Sequence, residues 1–280
     1  MLPILAAVGP IKIYTLGIFL LMAFFWGMFV LWRNIKLTSY REEDIFDGFF
    51  LSLLGAIFFA RLFFVIGNFS EFGLSFFKFI LINGYPGLSL YGGLIGGMLF
   101  SFLYSISKKI DFRKFVDYAS GPLLTALAVA NVGAFLAGVE IGTKTSFPLA
   151  VVYSGYKGLR HITALYQALI FFMAIFAAQR ILLSIRKQTY PEGFSGVFFI
   201  WIFSGTTLFL DKIKVNHLYF WNFNVNLWLS TILFIVTTTY FLYFFRKTLF
   251  ENIKSLPMTL KNNGKNLIKK IARRDTSKAN

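Results

Sequence analysis

The chain has no cysteine, two histidines and 12 acidic residues in a length of 280. Without cysteine it can form no disulfide, no thiolate metal site and no cysteine nucleophile. Two histidines argue against a multi-histidine metal centre, and no cofactor is expected. Charge is scarce as well, at 14% of residues against 57% hydrophobic. A soluble domain carries about 25% charged and 45–50% apolar residues. The composition is that of an integral membrane protein. Lys and Arg total 28, giving a formal net charge of +16. These cations lie between apolar runs and in the C-terminal tail. They therefore suit anionic lipid head groups and topology setting rather than nucleic acid.

Long apolar runs fill the rest. A span needs roughly 20 such residues, and the runs predict an all-α fold of about seven transmembrane helices: Ile13–Leu31, Ile45–Val65, Leu88–Ile106, Gly121–Val139, Ile162–Leu183, Phe194–Leu210 and Leu227–Phe245. Pro122 suits the first turn of the fourth. Residues 1–250 read as one seven-span membrane domain and 251–280 as a basic cytoplasmic tail. The tail is either flexible or holds a short interfacial helix, with Leu267, Ile268 and Ile271 on one face among lysines. The first run does not read as a cleaved signal peptide, because Lys12 alone precedes it while Arg33, Lys36 and Arg41 follow. Lys108, Lys109, Arg113, Lys114, Arg186 and Lys187 occupy the loops on that same side. Lys144, Lys157 and Arg160 on the other side weaken the contrast without reversing it. The expected orientation is N-terminus out and C-terminus in.

Ionisable groups inside spans are costly and need a reason. With this orientation most fall in the outer half: Arg61, Tyr91, Asn131, Glu140, His161, Gln167, Thr206, Thr207 and Asp211. The asymmetry points to chemistry or recognition at the outer leaflet and away from a pore or a coupled transporter, which would need polar groups through the midplane. Each residue has two readings. Arg61 either snorkels or holds a phosphate or a buried partner. Asn131 bonds a neighbouring helix or a ligand. His161 is a hydrated interfacial imidazole or a proton-transfer group. Tyr91 is an interfacial anchor or a site residue, and Asp211 a solvated helix end or a site acid. In Leu90-Tyr91-Gly92-Gly93-Leu94-Ile95-Gly96-Gly97, glycines four apart allow close approach of a helix or of a lipid head group.

The order of these features resembles the bacterial prolipoprotein diacylglyceryl transferase family from Val8 to about Phe245. Val8-Gly9-Pro10-Ile11 is similar to its "GP" entry, and Ala60-Arg61-Leu62-Phe63-Phe64-Val65 to its second-helix segment. Leu90–Gly96 looks like its "HGGLIG", and Asn131 to Gly138 like its "RLGNFING". Arg160-His161-Ile162-Thr163-Ala164-Leu165-Tyr166 looks like "RHPSQLYE", and Ser195–Phe198 like "SGLF". The departures fall on polar positions. The family histidine is Tyr91, the signature arginine is Asn131, and the signature asparagine is Ala134. A first-helix tyrosine falls near Leu16, a sixth-helix arginine at Thr206 or Thr207, and a glutamate at Gln167. An acid survives near Asp211.

The resemblance implies a multi-pass protein of the bacterial inner membrane. It would move a diacylglyceryl group from phosphatidylglycerol, or another anionic phospholipid, to the lipobox cysteine of a lipoprotein signal peptide. It implies Arg61 and Arg160 as phosphate grips, with Gly92, Gly93, Gly96 and Asn131 also against the phospholipid. His161 would be the general base and Tyr91 a second candidate, with Gly138, Tyr166 and Asp211 as further site residues. Because several charged groups are replaced, two readings stand: a divergent transferase with a rebuilt site, or a silent relative that binds lipid or signal helices.

Overall fold

The computed structural model describes residues 2–8, 11–36, 38, 40–81, 84–85, 87–215, 219–220, 223–224 and 226–247. The tail helix expected around Leu267, and the Gly9-Pro10 pair, lie outside these residues. Seven helices are long and apolar enough to cross a membrane. They are α1 (Thr15–Ile35), α2 (Glu42–Gly67), α5 (Leu90–Lys108), α6 (Phe112–Ala137), α7 (Thr163–Arg186), α8 (Phe194–Asp211) and α9 (Asn226–Lys247). Two short helices, α3 (Phe69–Phe72) and α4 (Phe76–Ile80), lie between α2 and α5. Three small antiparallel hairpins complete the described fold: β1–β2 (Ile4–Val8, Ile11–Tyr14), β3–β4 (Ala150–Val151, Arg160–His161) and β5–β6 (Tyr219–Phe220, Phe223–Asn224). The chain divides into two units, Met1–Phe234 and Ile235–Asn280. In the second, the end of α9 sets the Arg246 guanidinium 3.9 Å from the Tyr243 ring centroid.

Every expected span is present, but α6 starts nine residues before the expected Gly121. Pro122 therefore lies inside the helix and not in its first turn. The early start has a local cause: the Asp111 carboxylate accepts from Arg113 N at 2.9 Å and caps the helix. Pro122 has no N–H, so the Tyr118 carbonyl lacks its usual helical donor. Asn34 on α1 supplies one, Nδ2 to O at 3.3 Å.

Without a hydrophobic force between helices in lipid, close packing at small residues holds them together. Helices α2 and α5 meet along the glycine face. A Cβ on Gly92 would lie 2.6 Å from the Phe59 carbonyl oxygen, and one on Gly96 would lie 2.4 Å from that of Gly55. Gly93 faces Ala60 of the same helix. At Gly92 and Gly96 α2 occupies the room that could have taken a lipid head group, and at Gly93 it lies in ordinary contact.

A second tie positions α8. The Asp117 side chain on α6 is 1% exposed. Its Oδ2 accepts from Gly193 N at 2.6 Å, and its Oδ1 from Ser195 N at 2.9 Å and Gly196 N at 3.2 Å. The carboxylate thus satisfies the free N–H groups at the start of α8, where the helix dipole favours negative charge.

The glycine contacts predict a contrast in stability. Gly96→Ala lowers the thermal midpoint in detergent, at an overpacking cost of about 1–3 kcal/mol. Gly93→Ala, whose new methyl meets nothing closer than 3.5 Å, leaves it unchanged. Circular-dichroism melts of the two purified variants check this.

Candidate functional site

The polar residues singled out in the spans gather mainly around the C-terminal end of α8. Ser89 caps α5 by accepting from Gly92 N at 3.2 Å, which sets Tyr91 in the first turn. The Tyr91 ring turns inward, 2% exposed, edge-on to Phe203 at 5.8 Å. Its phenol meets Ser230 Oγ of α9, with the Thr207 hydroxyl beside it. Both hydroxyls donate to carbonyls of their own helices, Ser230 to Asn226 at 2.5 Å and Thr207 to Phe203 at 2.9 Å. A hydroxyl has one proton, so the phenol is the donor in this group. Tyr91 therefore stands as a hydrogen-bond donor and not as a base. Asp211 lies one turn beyond Thr207, buried, and its Oδ2 accepts from Asn224 Nδ2 at 2.6 Å.

Above this group the loop between α6 and α7 folds into a cap. Gly138 ends α6 in the left-handed region, φ 69°, a helix-terminating role. The segment 141–143 then runs between two others. Thr143 N donates to Ile213 O at 2.8 Å and Val215 N to Ile141 O at 3.0 Å. On its other side, His161 N donates to Thr143 O at 3.1 Å. Gly142 sits at the centre, where a Cβ would lie 2.3 Å from the His161 carbonyl oxygen. Only glycine fits there.

This seam brings Arg160, His161 and Lys214 together. Arg160 Nη1 donates to Gly142 O at 3.0 Å, and its guanidinium lies 4.8 Å from the Tyr156 ring centroid. The His161 ring sits between Phe147 at 6.4 Å and Tyr166 at 6.2 Å. His161 Nδ1 and Arg160 Nε are both buried without a partner among the described residues. Such atoms are rare in folded proteins, because an unmet buried donor or acceptor costs about 1–3 kcal/mol. Lys214 Nζ pairs with Glu140 Oε2 at 2.8 Å and donates to Gln167 Oε1 at 3.2 Å. Tyr166 donates to Leu149 O at 3.0 Å. The cap joins the group below through Lys214 N, which donates to Asp211 O at 3.1 Å. No cluster of three or more His, Cys, Asp or Glu able to hold a metal exists among the described residues.

Three expected residues serve the fold instead. Arg61 is 2% exposed, and four of its five N–H bonds go to main-chain carbonyls. Nε donates to Phe79 at 2.8 Å, Nη1 to Tyr85 at 2.8 Å and Gly87 at 2.9 Å, and Nη2 to Lys78 at 2.7 Å. The guanidinium also lies 5.1 Å from the Phe72 ring centroid. Arg61 thus neither snorkels nor presents an open fork to a phosphate; it holds the segment before α5. Asn131 Nδ2 donates to Leu127 O of its own helix at 2.8 Å. Gly138 is the helix cap described above.

Lys214, Tyr153 and Ser230 emerge only in three dimensions. Lys214 reads in sequence as a loop cation beside Lys212, and Ser230 as one hydroxyl in an apolar run. Tyr153 is buried in the cap, and its hydroxyl donates to His161 O at 3.4 Å. Burial pushes its phenol above 10.0, and the Glu140 carboxylate adds to the shift.

A protein-family model described as prolipoprotein diacylglyceryl transferase matches residues 3–243. Three bacterial proteins named phosphatidylglycerol–prolipoprotein diacylglyceryl transferase are similar to the chain. The one from Clostridioides difficile (strain 630) is 27% identical over 208 residues, covering 74% of this chain and 81% of the relative. The one from Clostridium botulinum (strain Hall) is 26% identical over 250 residues, covering 86% and 96%. The one from Fusobacterium nucleatum is 26% identical over 153 residues, covering 54% and 52%.

The buried phenol of the cap sets a pH dependence. Folded Tyr153 keeps its proton above the pH where an unfolded tyrosine releases it, near 10.0. In that window the native state binds more protons than the unfolded state, so stability falls as pH rises. Thermal midpoints taken between about pH 9 and 11 should fall less steeply for Tyr153→Phe than for the wild type.

Proposed function

Because the chain belongs to the prolipoprotein diacylglyceryl transferase family, we propose that it moves a diacylglyceryl group from phosphatidylglycerol to the lipobox cysteine of a prolipoprotein. It is a multi-pass protein of the bacterial plasma membrane. The observation that carries the reading is the family match through residue 243, which reaches from the first hairpin into the seventh span.

The reaction needs a thiolate, a displaced phosphate ester and a way to hold the charge that develops. A free thiol near pKa 8.5 is mostly protonated at neutral pH, so a base must take its proton. The sulfur then bonds to the glyceryl carbon, the carbon–oxygen bond to the phosphate breaks, and glycerol phosphate leaves. The substrate brings the only cysteine required.

His161 is the base in this proposal. Its buried, unpartnered Nδ1 supports that role, since imidazole is the side chain best suited to proton exchange near neutrality. Arg160, with an unpartnered Nε, and Lys214 hold the phosphate and the leaving charge. Tyr91, Thr207 and Asp211 form the polar floor beneath them, and Tyr166 limits the His161 ring on one side. Arg61 contributes indirectly, by fixing the segment that leads into Tyr91. With the N-terminus out, as the basic loops indicate, the cap faces the outer leaflet and the translocated signal peptide.

The test is transfer in phosphatidylglycerol liposomes to a signal peptide carrying a lipobox cysteine, read by mass. Wild type adds one diacylglyceryl group. His161→Ala lowers the rate by about 10²-fold or more, and Arg160→Ala by about 10²–10³-fold. Lys157→Ala, at an exposed loop position, leaves it unchanged. A folded wild-type preparation that makes no adduct, beside an active Clostridioides difficile relative in the same liposomes, would overturn the assignment.

A further inference from the structure

Helix α7 carries a groove of about 510 Å³ beside its exposed apolar residues Met173 and Phe176. Met173, Phe176, Ala177, Arg180 and Ile181 line it, with Ser184 and Tyr190 closing one end. The spacing of three and four residues puts the helical members on one face. The volume falls within the roughly 300–1,000 Å³ usual for small-molecule sites. Met173 is 73% exposed and Phe176 62% exposed, as suits contact with acyl chains.

The groove changes character along its length. It is apolar around Met173 and Phe176, cationic at Arg180, and polar at Ser184 and Tyr190. Beyond the helix, Gln188 turns the chain in the left-handed region, φ 59°. Tyr190 then returns as a wall, stacked on Phe194 at 4.6 Å. Arg180 is exposed and forms no ion pair among the described residues. The Glu192 carboxylate, two residues after Tyr190, is taken by Lys114 at 3.2 Å. An uncompensated guanidinium within a spanning helix costs free energy unless an anion or water meets it. The arrangement runs in the same order as a phospholipid, from chain to phosphate to polar head. Arg180 lies 17 residues past Thr163, roughly 25 Å along the helix, so the groove is remote from His161.

We propose that this groove is a phospholipid site separate from the cap, in which an anionic phospholipid lays an acyl chain along Met173, Phe176 and Ala177 and sets its phosphate on Arg180. The guanidinium fork matches a phosphate diester better than a lysine would. The bound lipid covers the exposed apolar face and neutralises the charge of α7 near its C-terminal end.

Native mass spectrometry of purified protein titrated with phosphatidylglycerol tests this. Wild type retains one more lipid than Arg180→Gln, whose apparent affinity at this site is roughly tenfold weaker or more. Ala177→Trp fills the groove, leaves the charge in place and loses the same lipid; it decides the case if Arg180→Gln loses its helical circular dichroism. Arg186→Gln, at an exposed cation outside the groove, keeps the lipid. Excess inorganic phosphate does not displace it, which separates a whole lipid from a bare anion site. Retention by both groove variants at wild-type affinity would overturn the proposal. Equal loss in Arg186→Gln, or displacement by inorganic phosphate, would do so as well.

Discussion

The carboxylate of Asp117 determines where everything else in the site can stand. A buried anion in a membrane helix is tolerable only with close donors, and the three N–H groups at the start of α8 provide them. The interaction locks α8 to α6 at the end away from the cap. From that fixed origin, the turns of α8 carry Phe203, Thr207 and Asp211 to their places. The Lys214 ammonium follows in the turn after the helix. A shift of α8 along its axis would carry the floor beneath Arg160 and His161 with it.

The seven spans were legible in the sequence because length and apolarity alone define them. The boundary of α6 was not. Arg113 and Lys114 read as part of a charged connection, whereas Asp117, three residues on, is buried and bonded to another helix. The glycines after Tyr91 were legible as a close-approach motif, but a one-dimensional pattern cannot say whether a helix or a lipid does the approaching. Arg61 was recognisable as an arginine that needed a partner. That its partners are carbonyls just ahead of α5 depends on how the chain folds back. The cap was invisible because it is built from main-chain pairing between segments far apart in sequence, and main-chain pairing leaves little mark on residue choice except at Gly142.

The family departures gain a physical reading from these placements. Tyr91 falls where the motif resemblance expects histidine, and its phenol donates to the Ser230 hydroxyl instead of offering an imidazole lone pair. Asn131 falls where that resemblance expects arginine and bonds its own helix. The positive charge near the proposed centre comes instead from Arg160 and from Lys214, held by Glu140 and Gln167. A cation can be relocated if its field still reaches the same point, because charge acts over several ångströms, whereas proton transfer needs contact. The proposal therefore leaves proton transfer to His161.

The seam around Gly142 carries a consequence for biogenesis. Its central segment at 141–145 takes partners from 159–161 on one side and from 213–215 on the other. The first becomes available before α7 is made, but the second leaves the ribosome about seventy residues after Gly142, only once α8 is complete. Until then the Thr143 amide and the Ile141 carbonyl must remain hydrated. The nascent protein thus passes through a stage with six spanning helices synthesised and half of its cap unzipped, and the turn after α8 acts as the closing stitch.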